Sequence, residues 1–211
     1  MSPIDPKTIL SELNVKFQTN FNSAIKGSFA QLSDVERKIR ALSELRDRLK
    51  ANGSKTREEL LVLLDEVFAD LVISLYLSYC AIDRPASMSL RRATELAVAF
   101  FYLWDNASKY WAWKDYDKDL SYKEMLDELS SSGYATFLQK ECKAIDGGHL
   151  IQLKNAYRDL SNQVHGKIST FETSLERRFS HDPADLTQHI ELMNRVLDAI
   201  LGIGNSRFPN I

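Results

Sequence analysis

Apolar side chains recur at every third or fourth position along almost the whole chain, and that pattern restricts the fold to packed α-helices. A period of 3.6 residues gathers such positions on one side of a helix. Leu60, Leu64, Phe68, Leu71, Leu75 and Tyr79 show it, and Leu90 to Asp105 follows with Ala97, Val98, Phe100, Phe101, Leu103 and Trp104. The 211 residues include only 8 glycines and 5 prolines, which fall between the periodic segments,. The helices over 60–79 and 90–105 are apolar nearly all round, which predicts places at the centre of a bundle.

Start and stop signals divide these stretches. A first helix is expected from Pro6 to about Ala30, through Ile9, Leu10, Leu13, Val15, Phe17, Phe21 and Ile25, with an interruption at Gly27 and Ser28. Three capping boxes follow, Ser33 to Glu36, Thr56 to Glu59 and Ser121 to Glu124. In each, the hydroxyl takes the N3 amide and the glutamate reaches back to the cap. The first opens a helix with a narrow stripe, Val35, Ile39, Leu42, Leu45 and Leu49, stopping at Asn52-Gly53. Asp83-Arg84-Pro85 reads as the stop of the second, with Ser87 or Ser89 capping the next helix. Lys109 to Asp119 reads as a loop with a short helix, Ser130 to Gly133 and Asp146 to Gly148 as breaks, and Pro183 to Leu201 as the last helix. A narrow stripe with charged flanks suits a hairpin arm. Residues 1–53 are therefore expected as an N-terminal helical hairpin appendage, and 56–205 as the bundle.

Composition narrows the function classes. With 44% hydrophobic and 27% charged residues the chain can bury a sizeable core, and a net charge of −2 does not mark a strongly basic nucleic-acid binder,. Cys80 and Cys142 form no CxxC pair, and His149, His181 and His189 match no ligand spacing, so neither a metal nor another cofactor is expected,. The first residues have no basic segment leading into an apolar one. The longest uncharged run, Leu71 to Ile82, is too short to span a bilayer,. These features predict a cytoplasmic protein with no membrane partner.

One segment combines chemistry-bearing residues on a helix, Tyr157-Arg158-Asp159-Leu160-Ser161-Asn162-Gln163-Val164-His165-Gly166. Seven positions are almost two turns, so Arg158 and His165 share a face about 10 Å apart along the axis, with Asn162 between them. Leu153, Tyr157, Leu160 and Val164 fall opposite and supply the buried stripe. A fixed cation beside the side chain type that titrates near neutrality suits phosphodiester chemistry. Spacing alone leaves open a structural arginine and histidine, paired across a dimer interface or satisfied by local carboxylates.

The surrounding sequence adds to this. Leu160-Ser161-Asn162-Gln163-Val164-His165-Gly166 resembles the Leu-Ser-x-x-Val-His-Gly stretch in a branch of the HEPN superfamily. Ser89-Leu90-Arg91-Arg92-Ala93-Thr94-Glu95 resembles the Leu-Arg-x-x-x-Glu signature that precedes it there. The resemblance covers roughly 56–205 and implies an all-α, HEPN-like helical bundle. It also implies a metal-independent endoribonuclease acting as a homodimer, with the Arg-x6-His motifs of two copies forming one composite site. RNA would be the substrate, since attack by a 2′-OH on the adjacent phosphate requires that group. His165 would then be the general acid or base and Arg158 the group that steadies the phosphate oxygens.

Asn162 would help to position the scissile group, and Asp159 fills the polar place that the family often has after the arginine. Arg92 or Glu95 would support the pair from the preceding helix. Alternatively, Arg91 and Glu95, four apart, form a local structural ion pair. Trp111 and Trp113 offer faces for base stacking or pack on the end of the bundle. The resemblance implies a toxin or defence role, with an antitoxin or sensor protein as a further partner. The rival reading is a catalytically silent HEPN module that binds protein or nucleic acid.

Overall fold

The first element, α1 (Pro6–Asn52), runs through the Ser33–Glu36 box as one helix. The box side chains work sideways instead. Asp34 pairs with Arg37 and Lys38, and Glu36 with Arg40, contacts that support a helix interior rather than a start. The interruption expected at Gly27 and Ser28 is a kink at Ser28, with φ −129° and ψ 24°. Ser28 Oγ donates to Ala24 O at 2.7 Å and lies 2.9 Å from Tyr79 Oη. Such a back-bond into the preceding turn bends a helix.

The computed structural model describes residues 6–52, 55–141, 147–165 and 179–210. Every regular element among them is a helix. After α1 come α2 (Lys55–Glu58), α3 (Leu61–Tyr79), α4 (Asp83–Asp105), α5 (Ala107–Tyr116), α6 (Tyr122–Leu129), α7 (Ser132–Glu141), α8 (Gly147–Val164) and α9 (Pro183–Arg207). Cys142, Gly166 and the run Glu176-Arg177-Arg178 lie outside the described residues.

The core does not divide at residue 53. Ala24, Val35, Ile39, Leu42, Leu45 and Leu49 are buried in the same apolar cluster as residues of α3, α4, α8 and α9. At about 1.5–3 kcal/mol for each buried aliphatic side chain, the stripe is ample to seat this helix on the bundle. Gly204 on α9 lets α1 come close, because a Cβ there would stand 2.6 Å from Leu45 Cδ2. Lys38 reaches Asp198 at 2.8 Å across the same seam. The first half of α1 is held more lightly. Ile9, Leu10 and Val15 are exposed. Asn20 Nδ2 donates to Cys80 O and Phe179 O, at 3.1 and 2.9 Å.

Several boundaries differ from expectation. The Thr56–Glu59 box precedes α3 without capping it. Leu60 holds the N-cap position with no side-chain bond, and Glu59 is taken by Lys114 and by Tyr110 Oη. Asp83-Arg84-Pro85 is the first turn of α4 rather than a stop, a place where proline costs no hydrogen bond. The stop comes earlier, where Ala81 turns left-handed at φ 58°. Ile82 N then bonds Leu77 O and Ala81 N bonds Ser78 O, a Schellman closure. Ser87 is therefore buried inside α4, donating to Gln163 Oε1 at 2.7 Å. Of the third box, the hydroxyl half is in place, with Ser121 Oγ accepting from Glu124 N.

α9 touches α1, α3, α4 and α8 and forms the centre of the bundle with α4. Asp182 caps it and Pro183 opens it. Arg207 at its far end clasps the nearly buried Asp105 of α4 at 2.6 Å. α3 is not central. Val62, Phe68, Val72, Ile73 and Tyr76 are exposed along its outer side, so apolarity all round did not fix its place.

Candidate functional site

α8 buries Leu150, Leu153, Ala156 and Leu160. This line is turned slightly from the expected stripe, because small Ala156 takes an inward place. Tyr157 and Val164 are half-buried at its border. The shift brings the Tyr157 ring to a seam with α4 and α6. It stacks on Tyr122 of α6 with centroids 3.8 Å apart and planes at 17°. Tyr122 Oη donates to Leu153 O at 3.1 Å. Burial, then the neighbouring Tyr157 and Glu95, pushes the Tyr122 phenol well above its ordinary range, so it stays a neutral donor,.

α4 sends Arg91 and Glu95 into this seam. Arg91 Nη2 donates to Tyr157 Oη at 2.8 Å, and Tyr157 Oη donates to Glu95 Oε1 at 2.9 Å. Arg91 and Glu95 also pair directly at 3.2 Å, and the guanidinium carbon lies 5.0 Å from the Tyr157 ring centroid. Desolvation acts against the charge of Arg91, while Tyr157 and Glu95 more than offset it, so the guanidinium is held more firmly protonated than usual. Its other terminal nitrogen, Nη1, lies 3.2 Å from His165 Nε2. His165 follows the last residue of α8, exposed, with its backbone N still bonded to Ser161 O at 2.9 Å.

The expected site residues separate into two groups. Glu95 and His165 meet through Arg91. Arg158 is exposed on the same outer side of α8, and its side chain makes no hydrogen bond or ion pair with another described residue. Asn162 lies between them, half-buried. Arg92 turns away from the cluster and binds Glu66 and Asp70 of α3 at 2.7 and 2.8 Å. Asp159 faces α9, 3.6 Å from Arg195. The cation contributed by α4 is thus Arg91 rather than Arg92, because successive helical positions point about 100° apart.

The aromatic segment is α5. Trp113 is partly buried against the core, whereas Trp111 is 41% exposed, with Lys114 Nζ 5.3 Å from its ring centroid. Lys114 also bonds Glu59. One face of Trp111 therefore carries a cation that is already paired, and Trp113 serves packing.

Sequence reasoning missed Tyr157 and Tyr122 as polar groups, since both sit in apolar or capping patterns. Arg91 had a signal in its i,i+4 relation to Glu95, but nothing local assigned it to His165. Among the described residues no three His, Cys, Asp or Glu side chains gather into a possible metal site, and no helix is long and apolar enough to cross a membrane. The fold and seam define an all-α bundle with an accessible arginine–histidine cluster at one helix end. No protein-family model, curated protein or solved structure matches the chain.

Proposed function

We propose that the chain is a HEPN-type, metal-independent endoribonuclease that works as a homodimer. The observation that carries this reading is the accessible His165 imidazole with one arginine in contact and a second on the same helix side. Arg91 lies against it, and the exposed Arg158, unpaired among the described residues, shares its side of α8. In the proposed reaction a ribose 2′-oxygen bonds to the adjacent phosphorus and the bond to the 5′-oxygen breaks. A base takes the 2′ proton, and an acid gives one to the departing 5′-oxygen. The products are a 2′,3′-cyclic phosphate and a 5′-hydroxyl. As the HEPN resemblance implies, a second copy supplies the other Arg158 and His165, so that one imidazole acts as base and the other as acid. Fixed guanidinium groups steady the charge that builds on the phosphate oxygens.

A toxin or defence role in the cytoplasm, restrained by an antitoxin or sensor protein, belongs to the same proposal. One observation favours a second reading. His165 Nε2 already faces Arg91, as it would in a silent module that binds protein or nucleic acid.

The test is incubation of the purified protein with total RNA in EDTA, beside folded Arg158→Ala and His165→Ala variants. The expected outcome is cleavage by the parent with cyclic phosphate ends, reduced about 10²–10⁴-fold in His165→Ala. A dimeric parent that leaves RNA intact moves the conclusion to the second reading.

A further inference from the structure

We infer that Arg91 is the positioning residue of His165, selecting the ring tautomer that carries its proton on Nδ1 and turns the Nε2 lone pair to the guanidinium. The inference rests on donor chemistry. A guanidinium has hydrogen-bond donors and no acceptor. The 3.2 Å contact between Arg91 Nη1 and His165 Nε2 is therefore a hydrogen bond only if Nε2 accepts. An imidazolium, or the Nε2–H tautomer, would set two N–H groups head to head. The remaining hydrogen sits on Nδ1, and the Nε2 lone pair is held by Arg91.

The direction of control follows from the anchoring. Arg91 is held by Tyr157 Oη and Glu95 and lies over the Tyr157 ring. Tyr157 is in turn stacked on Tyr122, which is bonded to the α8 backbone. His165 sits past the end of its helix and is exposed. The fixed partner orients the looser one. Arg91 Nη1 is also the part of the guanidinium an anion would seek. A phosphodiester drawing Nη1 toward its own oxygens frees Nε2 beside the phosphate, where a base is needed. The last step rests on the ribonuclease reading; the tautomer does not.

Nitrogen-detected NMR of the full chain, with histidine labelled in the ring, tests both parts. The parent is expected to show His165 Nε2 in the unprotonated range and Nδ1 protonated. Arg91→Met removes the donor and should move Nε2 into the protonated range of free neutral histidine. Arg91→Lys, which keeps a donor, should restore part of the parental signal. Tyr157→Phe retains the stacked ring and removes the hydroxyl that bonds the guanidinium and Glu95, so it should give an intermediate shift and guards against misfolding of the first variant. Adding a 2′-deoxy dinucleotide, which cannot be cleaved, should shift the His165 ring signals in the parent and much less in Arg91→Met. A parental Nε2–H signal, or ring signals unmoved by Arg91→Met, overturns the inference whether or not RNA is cut. The expected tautomer in a dimeric parent that leaves RNA intact instead upholds it and overturns the ribonuclease reading alone.

Discussion

His165 and His189 each rest Nε2 on one neighbour, at 3.2 and 2.9 Å, and the two contacts run in opposite senses. Ser74 Oγ gives its hydrogen to Ala86 O at 2.8 Å, so it can only accept from His189, and Nε2 carries the proton there. His189 is 8% exposed in the second turn of α9, and burial pushes its pKa down to about 4. It is a neutral donor that ties α9 to α3 and to the start of α4. His165 accepts from a cation at a helix end open to solvent. A histidine becomes available for chemistry through access and a free lone pair, and only one of these two can have both.

The largest effect expected from this contrast is a separation of stability from activity. His189→Ala removes a buried ring and leaves Ser74 Oγ without its donor. It should cost about 2–4 kcal/mol in urea unfolding. His165→Ala should change stability by less than about 0.5 kcal/mol, as for other exposed positions, while cutting cleavage about 10²–10⁴-fold. Equal destabilisation by the two variants would break the comparison.

Acid should sharpen it. Burial holds the folded pKa of His189 at about 4, below the ordinary histidine value of about 6.5,. Below the higher value the unfolded chain binds a proton that the folded chain refuses. Stability contributed by neutral His189 is therefore complete above about pH 6.5 and is lost as pH falls toward about 4, by about 3 kcal/mol in all. Asp70 acts in the opposite sense, because burial raises its carboxyl and protonation relieves it. The quantity to measure is thus the difference between the parent and His189→Gln, whose amide still donates to Ser74. The gap between their urea midpoints should narrow or reverse between pH 7 and pH 4.5. A constant gap would mean that His189 ionises normally.

How much of this was readable beforehand depends on whether a feature is local. Ser121 caps α6 as its sequence indicates, because that box needs only four consecutive residues in contact with solvent. The Ser33 box fails because Arg37, Lys38 and Arg40 draw its carboxylates sideways, and because the leucine stripe past it is buried by α3 and α9. The outward place of Arg158 on α8 was legible from the period, since Leu153 and Leu160 fix the inner side. The choice between Arg91 and Arg92 was not. α4 is buried at Ala86, Leu90, Ala93, Thr94, Ala97 and Val98 over a broad arc, so its own pattern does not say which border meets α8 and which meets α3. That phase is set by the helices packed on either side.

Those two adjacent arginines give the smallest expected effect and a finer form of the same contrast. Arg92 Nη1 lies 2.8 Å from the carboxylate of Asp70, whose side chain is 7% exposed, while Arg92 itself is 52% exposed. Replacing it by methionine keeps the apolar stem along α3 and strands a buried acceptor. The cost should be about 1–2 kcal/mol at pH 7. It should shrink as pH falls, because burial already raises the Asp70 carboxyl and a protonated acid needs no cation,. The His165 ring signals should stay unmoved in Arg92→Met and move in Arg91→Met, because only Arg91 reaches that ring. If Arg92→Met shifted the His165 signals as strongly, the arginines would be acting as one charge on α4, and the specific bond from Arg91 would not be needed to explain the site.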